Sequence, residues 1–278
     1  MARLDLARAA DDGGTAWRER ARAVAWRAAP FVSVGLLIVA WEGFARSGAV
    51  TPFMLPAPST VIDRNWSDAV AGDLWINMYQ TLYRAFAGFA IAAVVGIALG
   101  FAMARSRIAH WFFDPIISVG FPMPKIAFLP IVGLWLGLFD VSKIFMVTLE
   151  AVFPVITATL VGIAAVEREL LWSARNMGAN EREVLRQVVL PAALPQIMTG
   201  LQVALPIALI VAVVTEMVMG GYGLGGAMMT ASRFANSPGV FAGIVQIAVV
   251  GYAVVKGMAM LRRRLLLWHP EAMEPSTV

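Results

Sequence analysis

The chain has 278 residues, of which 59% are hydrophobic and only 14% are charged. Soluble domains carry about 25% charged residues, so this much apolar surface has to be buried in lipid rather than in one aqueous core. The absence of cysteine excludes disulfides, thiolate zinc sites and a cysteine nucleophile. Both histidines, His110 and His269, flank apolar runs, so we expect no histidine-rich metal site and no cofactor.

Six apolar stretches are long enough to cross the hydrocarbon core, which needs roughly 20 helical residues. We expect helices, because backbone groups in lipid must find their hydrogen bonds within the protein. The predicted fold class is therefore all-α, a polytopic membrane protein with about six transmembrane helices. The predicted spans are Pro30–Ala45, Thr81–Ala104, Phe112–Phe139, Ser142–Val166, Leu194–Gly220 and Val240–Leu261.

Most of the 22 lysines and arginines lie before the first span, between spans two and three, between spans four and five, and after span six. Because basic residues are retained in the cytoplasm, both termini are predicted to be cytoplasmic and the Thr51–Gln80 loop to be outside. The chain then divides into a tail, 1–29, a transmembrane domain, 30–264, with a cytoplasmic loop, 166–193, and a second tail, 265–278. The first run lacks a small-residue cleavage site, which argues against a cleaved signal peptide.

The third span is long and rich in proline, with Pro115, Pro122, Pro124 and Pro130. Proline removes a backbone donor and should kink or break the helix. Broken helices at membrane depth are tolerated where they face protein or a water-filled cavity. We therefore expect this segment to line a pathway, with tilt of one long helix as the alternative.

Two ionisable residues in neighbouring spans, Lys125 and Glu150, are predicted to pair beside this pathway. Each would cost roughly 2.5–3.5 kcal/mol at the centre of a span, so such groups usually pair or face water. Counting residues from the span ends places both at similar depths. Glu216 is the alternative partner of Lys125. The other alternative is that Lys125 reaches an interface and Glu150 is protonated.

The polar segment Val166–Pro195 predicts two short helices joined by a turn. The first has apolar residues at helical spacing, at Leu170, Leu171, Ala174 and Met177. Gly178 is placed to accept a positive φ at the end of that helix. Asn180 and Glu183 form a capping-box pattern that starts the second helix, and Pro191 is expected to end it. A plain connecting loop resting on the membrane is the alternative.

Gly178, followed after nine residues by Val188 and then by Leu190-Pro191, resembles the EAA loop of ABC-importer permeases. In that family the loop forms the coupling helix that docks on the ATPase subunit. The resemblance implies a coupling loop that contains Ala174, Arg175, Asn176, Gly178, Ala179, Asn180, Glu181, Arg182, Leu190 and Pro191. The chain departs from the family at the start of the motif, where Trp172-Ser173-Ala174 replaces Glu-Ala-Ala.

The resemblance extends over roughly residues 52–268. The runs Leu55-Pro56-Ala57-Pro58-Ser59, Phe121-Pro122-Met123-Pro124 and Thr215-Glu216-Met217 are similar to the branch that handles nitrate, bicarbonate, taurine, alkanesulfonates and vitamin precursors. The resemblance implies a multi-pass permease subunit of an ATP-driven importer in the inner membrane. Its implied partners are ABC ATPase subunits, an extracytoplasmic solute-binding protein, a second permease copy in a homodimer and membrane lipid, with no nucleic acid. ATP hydrolysis is expected in another chain, because no G-x-x-x-x-G-K-[ST] pattern occurs.

Several other patterns in the sequence allow different interpretations. The run Gly221–Gly226 fits G-x-G-x-x-G, but it follows an apolar helix rather than a strand, so a flexible outer loop is predicted. Gly96-x-x-x-Gly100 and Gly133-x-x-x-Gly137 predict close helix packing within one subunit, with dimerisation as the alternative. No convergent set of acid, base and nucleophile supports a membrane-embedded enzyme. The alternative function is a secondary transporter driven by an ion gradient, although inverted repeats are not evident.

Overall fold

The computed structural model describes residues 32–268, and within that range the chain is helical, with no strand. The predicted tail 1–29 and residues 269–278 of the predicted tail 265–278 lie outside the described residues. The helices are α1 (32–46), α2 (Pro58–Ala71), α3 (Asp73–Arg105), α4 (Arg107–Gly120), α5 (Leu129–Leu136), α6 (Asp140–Ala164), α7 (Arg168–Asn176), α8 (Glu181–Glu183), α9 (Leu190–Met219), α10 (Leu224–Arg233) and α11 (Ser237–Leu265). A 3₁₀ turn, Lys125–Phe128, precedes α5, and a π turn, Val184–Val189, joins α8 to α9.

The chain forms two units, Met1–Asp63 and Arg64–Val278. In the described part of the first unit, Glu42 connects the end of α1 to the start of α2. Its Oε2 accepts a hydrogen bond from the Ser59 backbone N–H (3.0 Å), and its Oε1 accepts one from Ser59 Oγ (2.8 Å). Arg46 Nε lies 2.5 Å from the same carboxylate. A carboxylate at the first turn of α2 is favourable because it satisfies free N–H groups there.

Four of the described helices are long and apolar enough to span a membrane: α3, α6, α9 with its flanking helices, and α11. The segments Arg107–Gly120 and Lys125–Leu136 would make a fifth span if taken as one, and they are bent by 87°. The first predicted span begins at Pro30, outside the described residues, and the described part of α1 is shorter than a span requires. The count of six spans therefore stays a prediction.

The predicted third span, Phe112–Phe139, is not one helix. Pro122 and Pro124 lie in the gap between α4 and the 3₁₀ turn, and Pro130 lies in the first turn of α5, where its missing N–H is not needed. Pro115 is accommodated inside α4. The predicted break is confirmed, and simple tilt of one long helix is wrong.

The second span begins earlier than hydropathy predicts. Helix α3 starts at Asp73 rather than Thr81, because Gly72 takes a φ of +91° after α2 and Asp73 provides the acidic first residue that a helix N-terminus favours. The predicted outer loop Thr51–Gln80 therefore contains α2 and the first turns of α3.

The core of the second unit is a bundle of α3, α6 and α9. Helix α3 presents a small residue at every fourth position to α6, at Gly88, Ala92, Gly96 and Gly100. A Cβ atom added to Gly96 would lie 2.8 Å from the Cβ of Val155, so the two backbones approach as closely as glycine allows. The prediction that Gly96-x-x-x-Gly100 packs within the subunit is confirmed.

Candidate functional site

The turn predicted within Val166–Pro195 is confirmed in its backbone. Helix α7 ends before Gly178, which has a φ of +90° and donates its N–H to Arg175 O (2.9 Å). The next N–H, of Ala179, bonds to Ala174 O (3.1 Å). These two bonds satisfy carbonyls that the helix end leaves free.

The predicted capping box is also confirmed. Asn180 Oδ1 accepts hydrogen bonds from the N–H groups of Arg182 and Glu183, both at 3.0 Å. Glu183 Oε2 in turn accepts the Asn180 N–H at 2.8 Å. The start of α8 is therefore fixed by its own side chains.

The predicted end of this second helix at Pro191 is wrong. The chain stays helical from Glu181 through the π turn into α9. Pro191 lacks an N–H and its ring needs space on the preceding turn, and the π turn supplies a wider turn there, with the Leu190 N–H bonded to Leu185 O. The second helix of the loop and the fifth predicted span are thus one continuous helix.

One face of the loop packs on the start of α9 and the other is exposed. Ala174 and Val184 are buried in a small apolar cluster with Ala193 and Ile197 of α9. Met177, beside the turn, has 82% of its surface exposed, and Trp172 is exposed as well. The predicted apolar face is therefore divided between packing inside the subunit and an open surface.

Glu181 joins the loop to the end of α3. Its carboxylate lies 2.9 Å from Arg175 Nη2 and 3.4 Å from Arg105 Nη2, and all three side chains are exposed. Exposed ion pairs stabilise a fold by roughly 1 kcal/mol at most. These two ion pairs therefore orient the loop relative to α3 more than they stabilise the fold. Asn176 and Arg182 are also exposed.

The structure brings Lys125 and Glu150 together, with Lys125 Nζ 2.9 Å from Glu150 Oε2. Glu150 Oε2 accepts no aligned hydrogen bond, so the contact is electrostatic. The ammonium also lies 4.6 Å from the centre of the Phe153 ring. It donates to the carbonyls at the break after α4, those of Gly120, Phe121 and Met123, at 2.9, 3.4 and 3.2 Å. Lys125 therefore satisfies the backbone that the prolines interrupt as well as opposing Glu150.

Glu216 does not approach Lys125, and the alternative pairing is wrong. Its Oε1 lies 2.7 Å from Arg84 Nη1, and both side chains are almost fully buried. The predicted pairings of Glu216 did not include Arg84. A signal was present, because Arg84 lies four residues before Gly88 and so shares the buried face of α3.

The predicted loop at Gly221–Gly226 is shorter than the sequence suggests, because Leu224 already begins α10. Gly221 and Gly223 have φ values of +90° and +132°, and α10 begins directly afterwards. The Gly223 N–H donates to Asn77 Oδ1 (2.8 Å) and the Leu224 N–H to Thr81 Oγ1 (2.9 Å). Two side chains of α3 thus bond to the loop backbone.

Comparison with known proteins agrees with this arrangement of helices and loop. Residues 92–266 match the family described as binding-protein-dependent transport system inner membrane component. The chain belongs to this family. The permease is 32% identical over 244 residues to the taurine transport system permease protein TauC of Escherichia coli, which covers 86% of this chain and 89% of TauC. It is 33% identical over 234 residues to the aliphatic sulfonates transport permease protein SsuC of Bacillus subtilis, covering 84% and 85%.

Solved structures show the same fold at low sequence identity. The MetNI methionine ABC transporter, in inward facing conformations, aligns with a TM-score of 0.59 and 18% identity over 67% of this permease and 93% of that chain. An amino acid ABC transporter with histidines aligns with a TM-score of 0.58 and 19% identity, over 72% and 97%.

The chain is therefore an ABC-importer permease of the inner membrane, and the family match decides against a transporter driven by an ion gradient. Membership implies an ATPase subunit and a solute-binding protein as partners.

Proposed function

We propose that the permease forms the import pathway for a small organosulfonate of the taurine or alkanesulfonate class. The observation that supports this solute class is the similarity to TauC and SsuC over more than four fifths of the chain. In the proposed complex, two permease copies form a homodimer, two separate ATPase subunits hydrolyse ATP, and a solute-binding protein delivers the solute. Residues 30–264 are the transmembrane domain, with 1–29 and 265–278 as cytoplasmic tails.

Solute competition tests the proposed class. Purified permease, its ATPase and its binding protein would be reconstituted in vesicles, and uptake of labelled taurine would be measured. We expect excess ethanesulfonate to compete and excess nitrate or bicarbonate not to compete. A riboflavin transport system permease protein, RibX of Chloroflexus aurantiacus, is 31% identical over 238 residues. Uptake of riboflavin in place of taurine would therefore replace the organosulfonate proposal with a vitamin one.

The residues proposed to dock on the ATPase are those of the coupling loop, from Ala174 to Pro191. Three features support this. The backbone of the turn at Gly178 is fixed, Met177 beside it is exposed, and the loop continues directly into α9. An exposed apolar side chain on a rigid turn is typical of a protein interface.

Substitution of Met177 tests the docking surface. We expect Met177→Asp to abolish co-purification of the ATPase, because a carboxylate would have to be desolvated in an apolar contact. Leu267→Asp is the matched control, since Leu267 is 70% exposed after α11, on the side predicted to be cytoplasmic. Equal loss of the ATPase in both variants would contradict a specific role for the loop.

Lys125 and Glu150 are proposed to lie beside the pathway. Lys125 is buried, whereas the Glu150 side chain keeps 23% of its surface exposed at the face of the single chain. A partly exposed carboxylate that already has a cation beside it can face a water-filled path without the cost of an isolated charge in lipid. Glu216 is fully buried and lacks such exposure.

A further inference from the structure

A buried polar cluster holds the Gly220–Gly225 loop, a name that here covers the turn after α9 and the first two residues of α10. Glu216 is fully buried at the end of α9, and its two carboxylate oxygens point to different partners. Oε1 faces Arg84 Nη1 at 2.7 Å, and Oε2 accepts hydrogen bonds from Thr81 Oγ1 (2.8 Å) and from the Gly225 N–H (3.1 Å). A buried carboxylate with this many partners is satisfied rather than free to react.

Together with Lys143, the cluster bonds to the loop backbone at four of its six residues, Gly220, Tyr222, Leu224 and Gly225. Arg84 Nη1 donates to Tyr222 O (2.5 Å), and Lys143 Nζ donates to Gly220 O (2.6 Å). Thr81 Oγ1 accepts the Leu224 N–H while its own hydrogen goes to Glu216. The side chains that hold the loop belong to α3, α6 and α9, the three helices of the core.

Glycine residues allow the loop backbone to lie close to the buried polar cluster. A Cβ atom on Gly225 would collide with the carbonyl of Val213, and one on Gly223 would collide with the Glu216 carboxylate. The loop therefore lies directly on the cluster, and Leu224 is only 1% exposed. Tyr222, between two glycines, is 71% exposed. One side of the loop is thus fixed and the other is presented outward.

We propose that Glu216, Arg84 and Thr81 are positioning residues that hold the Gly220–Gly225 loop rigidly across α3, α6 and α9, and that import requires the loop to be held. The loop lies at the end of α9 opposite to the coupling loop. A contact made on its exposed side is transmitted to all three core helices, because each of them contributes a side chain that bonds to it or to its anchor. The functional part of this inference rests on the proposed function, whereas the structural part does not.

The structural part is tested by the reactivity of a buried loop position. The chain has no cysteine, so Leu224→Cys introduces a single thiol. In nanodiscs, which expose both faces, we expect this thiol to react with a maleimide about 100-fold more slowly than the thiol of Tyr222→Cys, because reaction needs local opening. Removal of the Thr81 hydroxyl in Thr81→Val keeps the side-chain shape and should raise the Leu224→Cys rate about tenfold. Thr81→Ser restores the hydroxyl and should restore the slow rate.

A second variant and a control complete the test. Asn77→Ala removes the acceptor of the Gly223 N–H without touching the buried charges, and it should also raise the rate. Arg64→Met breaks an ion pair with Asp68 (2.9 Å) in the same unit and should leave the rate unchanged. An unchanged rate in both Thr81→Val and Asn77→Ala would overturn the proposal. If Thr81→Val does not accumulate in the membrane, Asn77→Ala decides alone.

The functional part is tested by ATPase stimulation by the solute-binding protein. Thr81→Val should lower this stimulation several-fold relative to the parent, and Thr81→Ser should restore it. If Thr81→Val raises the Leu224→Cys labelling rate but does not lower the ATPase stimulation, then import does not require the loop to be held. A parent protein that shows no stimulation with any organosulfonate would contradict the proposed solute class, while the labelling result would still stand.

Discussion

Lys125 lies 2.9 Å from Glu150 while it donates to three carbonyls at the break after α4. The two contacts make different demands on the residue at position 125. Opposing Glu150 needs only a positive charge, whereas satisfying carbonyls needs hydrogen-bond donors. A charge swap therefore would not restore the site, because Lys125→Glu would place a carboxylate against carbonyl oxygens.

Truncation separates these two roles of Lys125. We expect Lys125→Met to destabilise the protein by roughly 1–3 kcal/mol more than Glu150→Gln, because it leaves buried carbonyls without donors. Glu150→Gln keeps the side-chain shape and leaves the ammonium bonded to the backbone. Thermal unfolding of the purified variants in detergent measures the difference. Equal destabilisation by the two substitutions would show that the ion pair dominates.

At Gly178 the backbone, rather than space, limits substitution. Its φ of +90° is unfavourable for side chains with a Cβ, yet nothing lies within 4 Å of the Cβ position. We expect Gly178→Val to cost roughly 1–2 kcal/mol or more in the turn and to reduce coupled ATPase activity strongly. Gly178→Asn should retain most activity, since asparagine tolerates this region best among non-glycine residues. Equal coupled ATPase activity of the parent, Gly178→Val and Gly178→Asn in reconstituted vesicles would show that Gly178 is an ordinary loop residue.

The cap of α8 can be tested independently of the turn. Asn180→Ala removes the acceptor for two N–H groups and should destabilise the loop by about 1 kcal/mol. Asn180→Ser retains an acceptor at that position and should behave like the parent. Hydrogen exchange of the Arg182 and Glu183 amides measures the change. Identical exchange in the alanine and serine variants would contradict the capping role.

Close packing of α3 on α6 predicts a contrast between two glycines in helices. Gly96→Ala should destabilise the protein by roughly 1–3 kcal/mol, because the new methyl group meets Val155. Gly257→Ala, in α11, meets nothing within 4 Å and should stabilise it by about 0.5–1 kcal/mol through helix propensity. Thermal unfolding of both variants tests this, and destabilisation of similar size in both would contradict the packing account.

The predicted sidedness can be tested with single thiols. Ser67 and Ser173 are both exposed, and the chain has no cysteine of its own. We expect Ser67→Cys to react with an impermeant maleimide in intact cells and Ser173→Cys to react only after the membrane is opened. Labelling of both thiols from the same side would contradict the predicted orientation.

Local features of this fold could be read from the sequence, because local chemistry determines them. The break at Pro122 and Pro124, the positive φ of Gly178 and the cap at Asn180 each depend on residues within one turn. The continuity of the helix past Pro191 could not be predicted, because a π turn leaves no composition signal.

The contacts that depend on distant residues were harder to predict. Arg84 and Glu216 are 132 residues apart, and hydropathy gives the depth of a residue but not the partner that its helix faces. The small-residue pattern on α3 identifies the buried face of that helix, because small residues mark the side that approaches a neighbouring helix.

The absence of any break between α8 and α9 has a mechanical consequence. Helix α9 has 30 residues, so it is about 45 Å long at ~1.5 Å per residue. Its first turn follows the loop that is proposed to dock on the ATPase, and its last turn carries Glu216. Because the helix is continuous, a tilt imposed on its first turn is transmitted along α9 to the Glu216 end, and Pro195 and Pro206 are the points inside α9 at which it can bend.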